Sequence, residues 1–358
     1  MKVIITTNKV KESRRDSVDF SNLPFGKVMT DHMFIADYKD GEWQDARIVP
    51  LDNLKIHPAN MALHYGQSIF EGMKAGVNED GTPLLFRPEL HAERINASAR
   101  RMCMPEIPHE LFLEAVKQIT WIEKEWIPHT EGSALYLRPF MFATDNFIGV
   151  APSQTFSFII ITLPVGPYYA KPVKLYADEQ FVRASKGGTG EAKAAGNYAG
   201  SLLPAQLARA KGFDQVLWLD ARYRKFVQEV GTMNIFFVLK DRVITPLTDG
   251  AILKGITRLS IIELLKERGI LVEERPITID EIIDAYDKQE LLEVFGSGTA
   301  AVVSNVSVIA YKDKIMTFDD STFELSLQMK AEINAIRNGN IPDNHGWIVP
   351  IHEPELIA

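Results

Sequence analysis

The sequence predicts an α+β protein of two domains, and three observations carry that reading. Helix-spaced and strand-like segments mix without the regular β-α alternation of a doubly wound sheet. The chain has 358 residues, and at roughly 150 residues per domain two are expected. At 164–172, three prolines and one glycine fall within nine residues, Pro-Val-Gly-Pro-Tyr-Tyr-Ala-Lys-Pro. That composition is expected to end both strands and helices. A small N-terminal domain (1–166), a linker or lid (167–176) and a larger C-terminal domain (177–358) follow as expectations.

The elements read in order as follows. The first ~15 residues are polar and charged, the composition of a loose arm. Residues 28–38 and 84–86 have strand character. Pro88 opens a helix, with Leu90, Ala92, Ile95 and Ala99 near helical spacing. A second helix over 110–126 directs Leu111, Ala115, Ile119 and Ile122 to a core. The β-branched and aromatic content of 134–142 and 155–163 predicts buried strands. Beyond the linker come a Gly-rich turn at 187–190, a helix near 199–210 and strands at 215–219 and 234–239. A helix over 257–268 closes at Gly269. Strands near 293 and 302 and a helix near 323–336 complete the chain.

Composition excludes several functions. With 39 Lys+Arg against 47 Asp+Glu the formal charge is −8, which gives no general attraction to nucleic acid or anionic membranes. The single cysteine, Cys103, cannot form an internal disulfide and favours a reducing compartment; it is expected to be a buried, inert thiol. The longest apolar stretch, 156–163, falls far short of the ~20 residues of a spanning helix. No apolar segment follows the basic N-terminus as in a signal peptide. A cytoplasmic enzyme is expected. The eight histidines show no metal-ligand spacing, and no metal is expected.

Four stretches could carry chemistry. In Lys186-Gly-Gly-Thr-Gly-Glu-Ala-Lys193-Ala-Ala-Gly-Asn-Tyr198, four glycines surround a lysine. Such a lysine could be desolvated into a nucleophilic amine, although a Gly-Lys turn is more often plain surface. The spacing fits neither a dinucleotide fingerprint nor a Walker loop. In 227–234, Glu229 precedes a glycine turn and a strand, as an edge carboxylate or as the partner of a cationic ring nitrogen. Gly255-Ile-Thr257 opens a helix, as an anion site or a simple Thr cap. Phe295-Gly-Ser-Gly-Thr-Ala300 offers small residues and hydroxyls, as an anion site or a tight turn.

The order of these pieces resembles the fold-type IV pyridoxal-phosphate enzymes, and more closely the branched-chain amino-acid aminotransferases. The resemblance runs from about Phe25 to Tyr311. It includes Tyr65-Gly-Gln-Ser-Ile-Phe70-Glu-Gly-Met-Lys-Ala, Leu85-Phe-Arg-Pro-Glu-Leu-His-Ala-Glu-Arg94, Leu135-Tyr136-Leu-Arg138-Pro and Gln215-Val-Leu-Trp-Leu219. It implies a small N-terminal domain, a C-terminal domain with a barrel-like β-sheet core, and pyridoxal 5′-phosphate as cofactor. It implies Lys193, Tyr198 and Glu229 as the catalytic set. Lys193 would bond the cofactor and shuttle a proton, Tyr198 would meet the ring O3′, and Glu229 the pyridine nitrogen. Arg94, Ile256, Thr257 and Thr299 would hold the phosphate, with Leu253 on the ring face.

For substrate, the resemblance implies an aromatic wall of Phe25, Tyr65, Phe70, Tyr136 and Tyr168. Arg138 would receive the γ-carboxylate of glutamate, and Thr232 and Ala300 the α-carboxylate. Val150 would reach the site of a partner subunit, making a homodimer. The implied reaction is reversible ping-pong amino transfer between leucine, isoleucine or valine and 2-oxoglutarate. D-amino-acid aminotransferase, aminodeoxychorismate lyase and a silent scaffold are the alternatives. Two departures are visible: Ala301-Val-Val-Ser304 stands where some relatives carry Cys-x-x-Cys, and Lys254 where proline is common.

Overall fold

The structure is a computed structural model and describes residues 3–166 and 171–354. The chain folds into two compact units. One is built from the chain up to residue 166, Ala192–Ala195 and the chain from Ala335 onward; the other from residues 171–191 and Gly196–Asn334.

The first unit is a nine-stranded sheet backed by two helices. Its centre is the long antiparallel pair Ala134–Ala143 and Phe156–Val165. Strand His32–Lys39 flanks the latter, and Met73–Val77 and Ser68–Phe70 flank the former. Helices Pro88–Arg101 and His109–Ile122 bury Ala92, Ile95 and Ala99, and Phe112, Ala115 and Ile119, in the core. The helical spacing anticipated those faces.

Pro164 lies inside a strand rather than ending one. The neighbour His32–Lys39 pairs only as far as Ile161, so beyond that point the strand is an edge on one side. A missing N–H costs no ladder bond there. The N-terminal residues are also ordered: Thr6–Thr7 pairs with Glu42–Pro50, Ile5 is buried, and Arg14 bonds Asp31. Cys103 is exposed, not buried, because it sits at φ +53° where the chain leaves helix Pro88–Arg101.

The second unit carries another nine-stranded sheet. From Val227–Val230 the ladder runs through Gln215–Leu219, Val173–Asp178, Val302–Tyr311 and Leu291–Gly298 to Asn234–Leu239. A bridge between Val230 and Met233 brings the last of these back beside the first. Six strands thus make a closed circuit, the barrel-like core that the resemblance implies. Gly231 turns that corner at φ +54°, and a Cβ there would lie 2.2 Å from Gln215 Oε1. Helix Ile256–Glu267 packs Ile261, Ile262, Leu264 and Leu265 inward.

Candidate active site

In the first unit one helix face organises three functions. His91, Arg94 and Ser98 follow one another at i, i+3 and i+7 on helix Pro88–Arg101, so they share a stripe. Arg94 grips the buried Glu71 in a fork, Nε to Oε1 at 2.7 Å and Nη2 to Oε2 at 2.8 Å. His91 Nδ1 donates to Glu71 Oε2 at 2.8 Å. Burial alone would raise the Glu71 carboxyl, but the Arg94 charge and the two partners' hydrogen bonds outweigh it and hold it far below the usual carboxylate range. Burial pushes the His91 imidazole down, toward its neutral form.

Ser98 fixes the lysine. Its hydroxyl accepts the Lys193 N–H at 3.0 Å, while Lys193 C=O accepts the Phe70 N–H at 3.0 Å. The strip Ala192–Ala195 is thereby pinned between the helix and strand Ser68–Phe70, with Ala192 and Ala194 buried. Lys193 Nζ stands 4.9 Å from the centre of the Phe70 ring.

The same ring carries Arg138, whose Cζ is 4.7 Å from its centre. Arg138 Nη2 donates to the Tyr136 hydroxyl at 3.1 Å, and Tyr136 meets Phe25 edge-on at 5.4 Å. Among the described residues Arg138 makes no ion pair, and its buried Nε has no hydrogen-bond partner. Gly72 makes the cluster possible: a Cβ there would lie 2.0 Å from the Tyr136 hydroxyl. Phe25, Phe70, Tyr136, Arg138 and Lys193 are therefore brought together. Tyr65 is exposed and stacks loosely on His64. Val150 is 90% exposed. Tyr168 lies outside the described residues.

In the second unit Tyr198, Glu229, Thr232 and Leu253 line one cleft with Arg183, Asn197 and Ser201. Arg183 Nε is 2.5 Å from Glu229 Oε2, both nearly buried. Arg183 Nη2 also donates to the carbonyls of Gly190 and Ala251. Asn234 Nδ2 donates to Glu229 Oε1 at 3.1 Å and to Leu253 C=O at 2.9 Å. The carboxylate is thus oriented from two sides. Asn197, at the foot of the same cleft, donates to Thr189 C=O at 2.7 Å and accepts from its hydroxyl at 2.6 Å, which closes the Gly-rich turn.

Helix Ile256–Glu267 begins at Gly255, without a side-chain cap. Thr257 is inside the helix and is not its cap. The N–H groups of an uncapped first turn suit an anion. A Cβ on Gly255 would lie 2.0 Å from Asn234 Oδ1, so only glycine fits beside the Asn234 bridge. Thr299 and Ala300 form the half-buried turn after strand Leu291–Gly298.

Residues 68–309 match the family model for class IV amino-transferases. The chain belongs to the class IV aminotransferases. This aminotransferase is 48% identical to branched-chain-amino-acid aminotransferase 2 of Bacillus subtilis (strain 168), over 96% of each chain. Its fold matches the branched-chain aminotransferase of Thermoproteus uzoniensis, solved with norvaline, at TM-score 0.75 and 25% identity, covering 90% of this chain and 100% of that one. It matches the T.th. branched-chain amino acid aminotransferase, complexed with N-(5′-phosphopyridoxyl)-L-glutamate, at TM-score 0.71 and 28% identity, covering 88% and 97%.

Arg183, Asn234, Glu71 and His91 carry no role in the sequence reading of this aminotransferase. Glu71, His91 and Asn234 stand inside quoted motifs, but nothing in spacing says that a motif glutamate will clasp an arginine 23 residues on. Arg183 stands alone, ten residues before Lys193, with no signal of its own.

Proposed function

We propose that this aminotransferase moves the amino group between L-leucine, L-isoleucine or L-valine and 2-oxoglutarate, with pyridoxal 5′-phosphate as cofactor. One observation carries the substrate assignment. The aromatic wall of Phe25, Phe70 and Tyr136 bears a guanidinium, Arg138, without a carboxylate partner among the described residues. The wall suits an aliphatic side chain, worth roughly 1.5–3 kcal/mol when fully buried. The unpaired cation suits the γ-carboxylate of glutamate. A site serving both half-reactions needs both.

The residues fit the cofactor. A carboxylate paired with Arg183, an uncapped helix start beside a glycine-only cradle, and a lysine near an aromatic ring are the donor set it requires. When bound, pyridoxal phosphate supplies an electron sink and a carrier for the amino group. Glu229 would accept the pyridine N–H and favour the protonated nitrogen. Tyr198 would donate to the ring oxygen, and Leu253 would cover one face. Ile256 and Thr257 N–H, the Thr299 hydroxyl and Arg94 would hold the phosphate. Lys193 would hold the cofactor through Nζ in the resting enzyme; once the substrate's amine has displaced it, the freed Nζ amine would be the base that carries the substrate Cα proton. Backbone N–H groups at Thr232 and Ala300 receive the α-carboxylate.

The working unit in this reading is a homodimer. Phe147, Ile148 and Val150 expose apolar side chains on one loop, a surface that a second copy would cover, placing Val150 at its partner's substrate. The cytoplasm is the proposed compartment.

The test is the visible spectrum of the purified holoenzyme. Addition of L-leucine without a keto acid should bleach the cofactor band, and 2-oxoglutarate should restore it. A band unmoved by leucine but moved by a D-amino acid would overturn the substrate assignment. No band after added pyridoxal phosphate would overturn the cofactor.

A further inference from the structure

The loop that follows Glu229 is a two-residue turn. Val230 N–H donates to Met233 C=O at 2.9 Å and Met233 N–H to Val230 C=O at 2.8 Å, with Gly231 and Thr232 between them. Gly231 has φ +54°, and Thr232 is not among the residues of positive φ. That is the signature of a type II′ turn, with glycine at its first central position. The central peptide joins Gly231 C=O to Thr232 N–H. In a trans peptide these two groups point in opposite directions, so whatever holds the carbonyl also aims the N–H.

Trp218 holds the carbonyl. Its indole Nε1–H donates to Gly231 C=O at 2.8 Å, and the ring is buried against Ala208 and Val216, with Tyr176 and Phe213. The rest of Gly231 is held by the same strand. Val216 C=O accepts its N–H at 2.8 Å, and Gln215 lies against its Cα. On the far side Thr232 is exposed and lines the cleft of Tyr198, Glu229 and Leu253. Among the described residues its N–H donates no hydrogen bond. Turning the peptide over would make the turn type I′, which needs φ > 0 at Thr232 as well, a conformation that a β-branched residue resists. Threonine blocks the full rotation, and the indole restrains the smaller tilts that remain.

We propose that Trp218 is a positioning residue for the substrate. From behind the turn, its indole N–H fixes the Gly231–Thr232 peptide so that Thr232 N–H meets the substrate α-carboxylate. This rests on the reading that the cleft takes that carboxylate at Thr232. Trp218 does not touch the substrate and acts through one peptide plane. A donor set in advance by a buried ring needs no reorganisation when the anion arrives.

The probe is 4-methylvalerate, which has the body and carboxylate of leucine but no amino group, so it binds without turnover. Trp218→Phe keeps a ring in the buried cluster and removes the N–H. Calorimetry on the holoenzyme should show the dissociation constant for 4-methylvalerate raised about tenfold, the worth of one buried hydrogen bond. The KM for leucine should rise by the same factor, while kcat and the dissociation constant for pyridoxal phosphate stay within about twofold. Val216→Ala thins the same cluster and leaves the donor in place. It should lower the melting temperature without weakening 4-methylvalerate. Unchanged binding in Trp218→Phe, or an equal loss in Val216→Ala, would overturn the proposal. Weakened cofactor binding in Trp218→Phe with 4-methylvalerate unaffected would place the effect on Glu229 and overturn it as well. Failure of the wild type to bind 4-methylvalerate would overturn the substrate assignment itself, and the proposal with it.

Discussion

Arg183 sets its guanidinium against the buried carboxylate of Glu229, with Nε 2.5 Å from Oε2. The same guanidinium holds the carbonyls of Gly190 and Ala251. One side chain therefore ties the acid to the Gly-rich turn before Lys193 and to the loop before helix Ile256–Glu267.

Arg183 is accordingly a positioning residue. Arg183→Met should lower kcat by more than tenfold with a smaller change in KM, and should move the pH dependence of the cofactor absorbance. Arg183→Lys should restore little, since an ammonium cannot span three acceptors held by a planar fork. An unchanged absorbance profile in Arg183→Met would remove the arginine from that role.

Glu71→Gln should destabilise the fold. It leaves Arg94, 10% exposed at its side chain, without its anion, and breaking such a pair costs about 3–5 kcal/mol. The pH dependence has a definite sign. The folded Glu71 carboxyl lies below its unfolded value of ~4.3, so its contribution is full above that value and lost as pH falls toward the folded one. The melting-temperature gap between wild type and Glu71→Gln should be constant from pH 8 to about 5.5 and shrink below about 4. A gap that widens in acid would contradict the assignment.

Gly255→Ala should release cofactor without unfolding the protein. The added methyl displaces Asn234 Oδ1 and with it the bridge from Glu229 to Leu253 C=O. Dialysis followed by reconstitution with pyridoxal phosphate should show a dissociation constant raised at least tenfold, roughly the loss of one charge-assisted hydrogen bond.

Lys193→Ala should abolish transamination, while the circular-dichroism spectrum and melting temperature stay near wild type. The lysine backbone, which makes the bonds to Ser98 and Phe70, is untouched by the change. Measurable turnover would exclude Lys193 as the proton carrier.

Ile148→Glu should convert the proposed dimer to monomer in sedimentation, because it places a charge in an exposed apolar loop with Phe147 and Val150. A dimer unaffected by the charge would put the interface elsewhere.

Much of this was legible in the sequence. Helical spacing located Pro88–Arg101, His109–Ile122 and Ile256–Glu267, because apolar periodicity follows burial on one face. Local chemistry placed Glu229 before the Gly231 turn and the anion-ready N–H groups after Gly255. Short strands such as Met73–Val77 and Val173–Asp178 were not legible, since their pairing is fixed by partners distant in the chain. The same holds for Arg183 and Glu71, whose roles exist only through a carboxylate or guanidinium that the fold brings near. Pro164 misled because its tolerance depends on where a neighbouring strand stops.

Strand Ile348–Pro350 pairs with Pro83–Phe86, and Ala192–Ala195 lies against Ser68–Phe70. The unit begun first in synthesis is therefore completed last. A nascent chain emerging from the ribosome can lay down eight of that sheet's nine strands early, but its Pro83–Phe86 edge stays uncovered until the whole second unit has been made. A fragment cut near residue 166 would expose an unpaired sheet edge and aggregate rather than fold. For biosynthesis, finishing the first unit waits on the second.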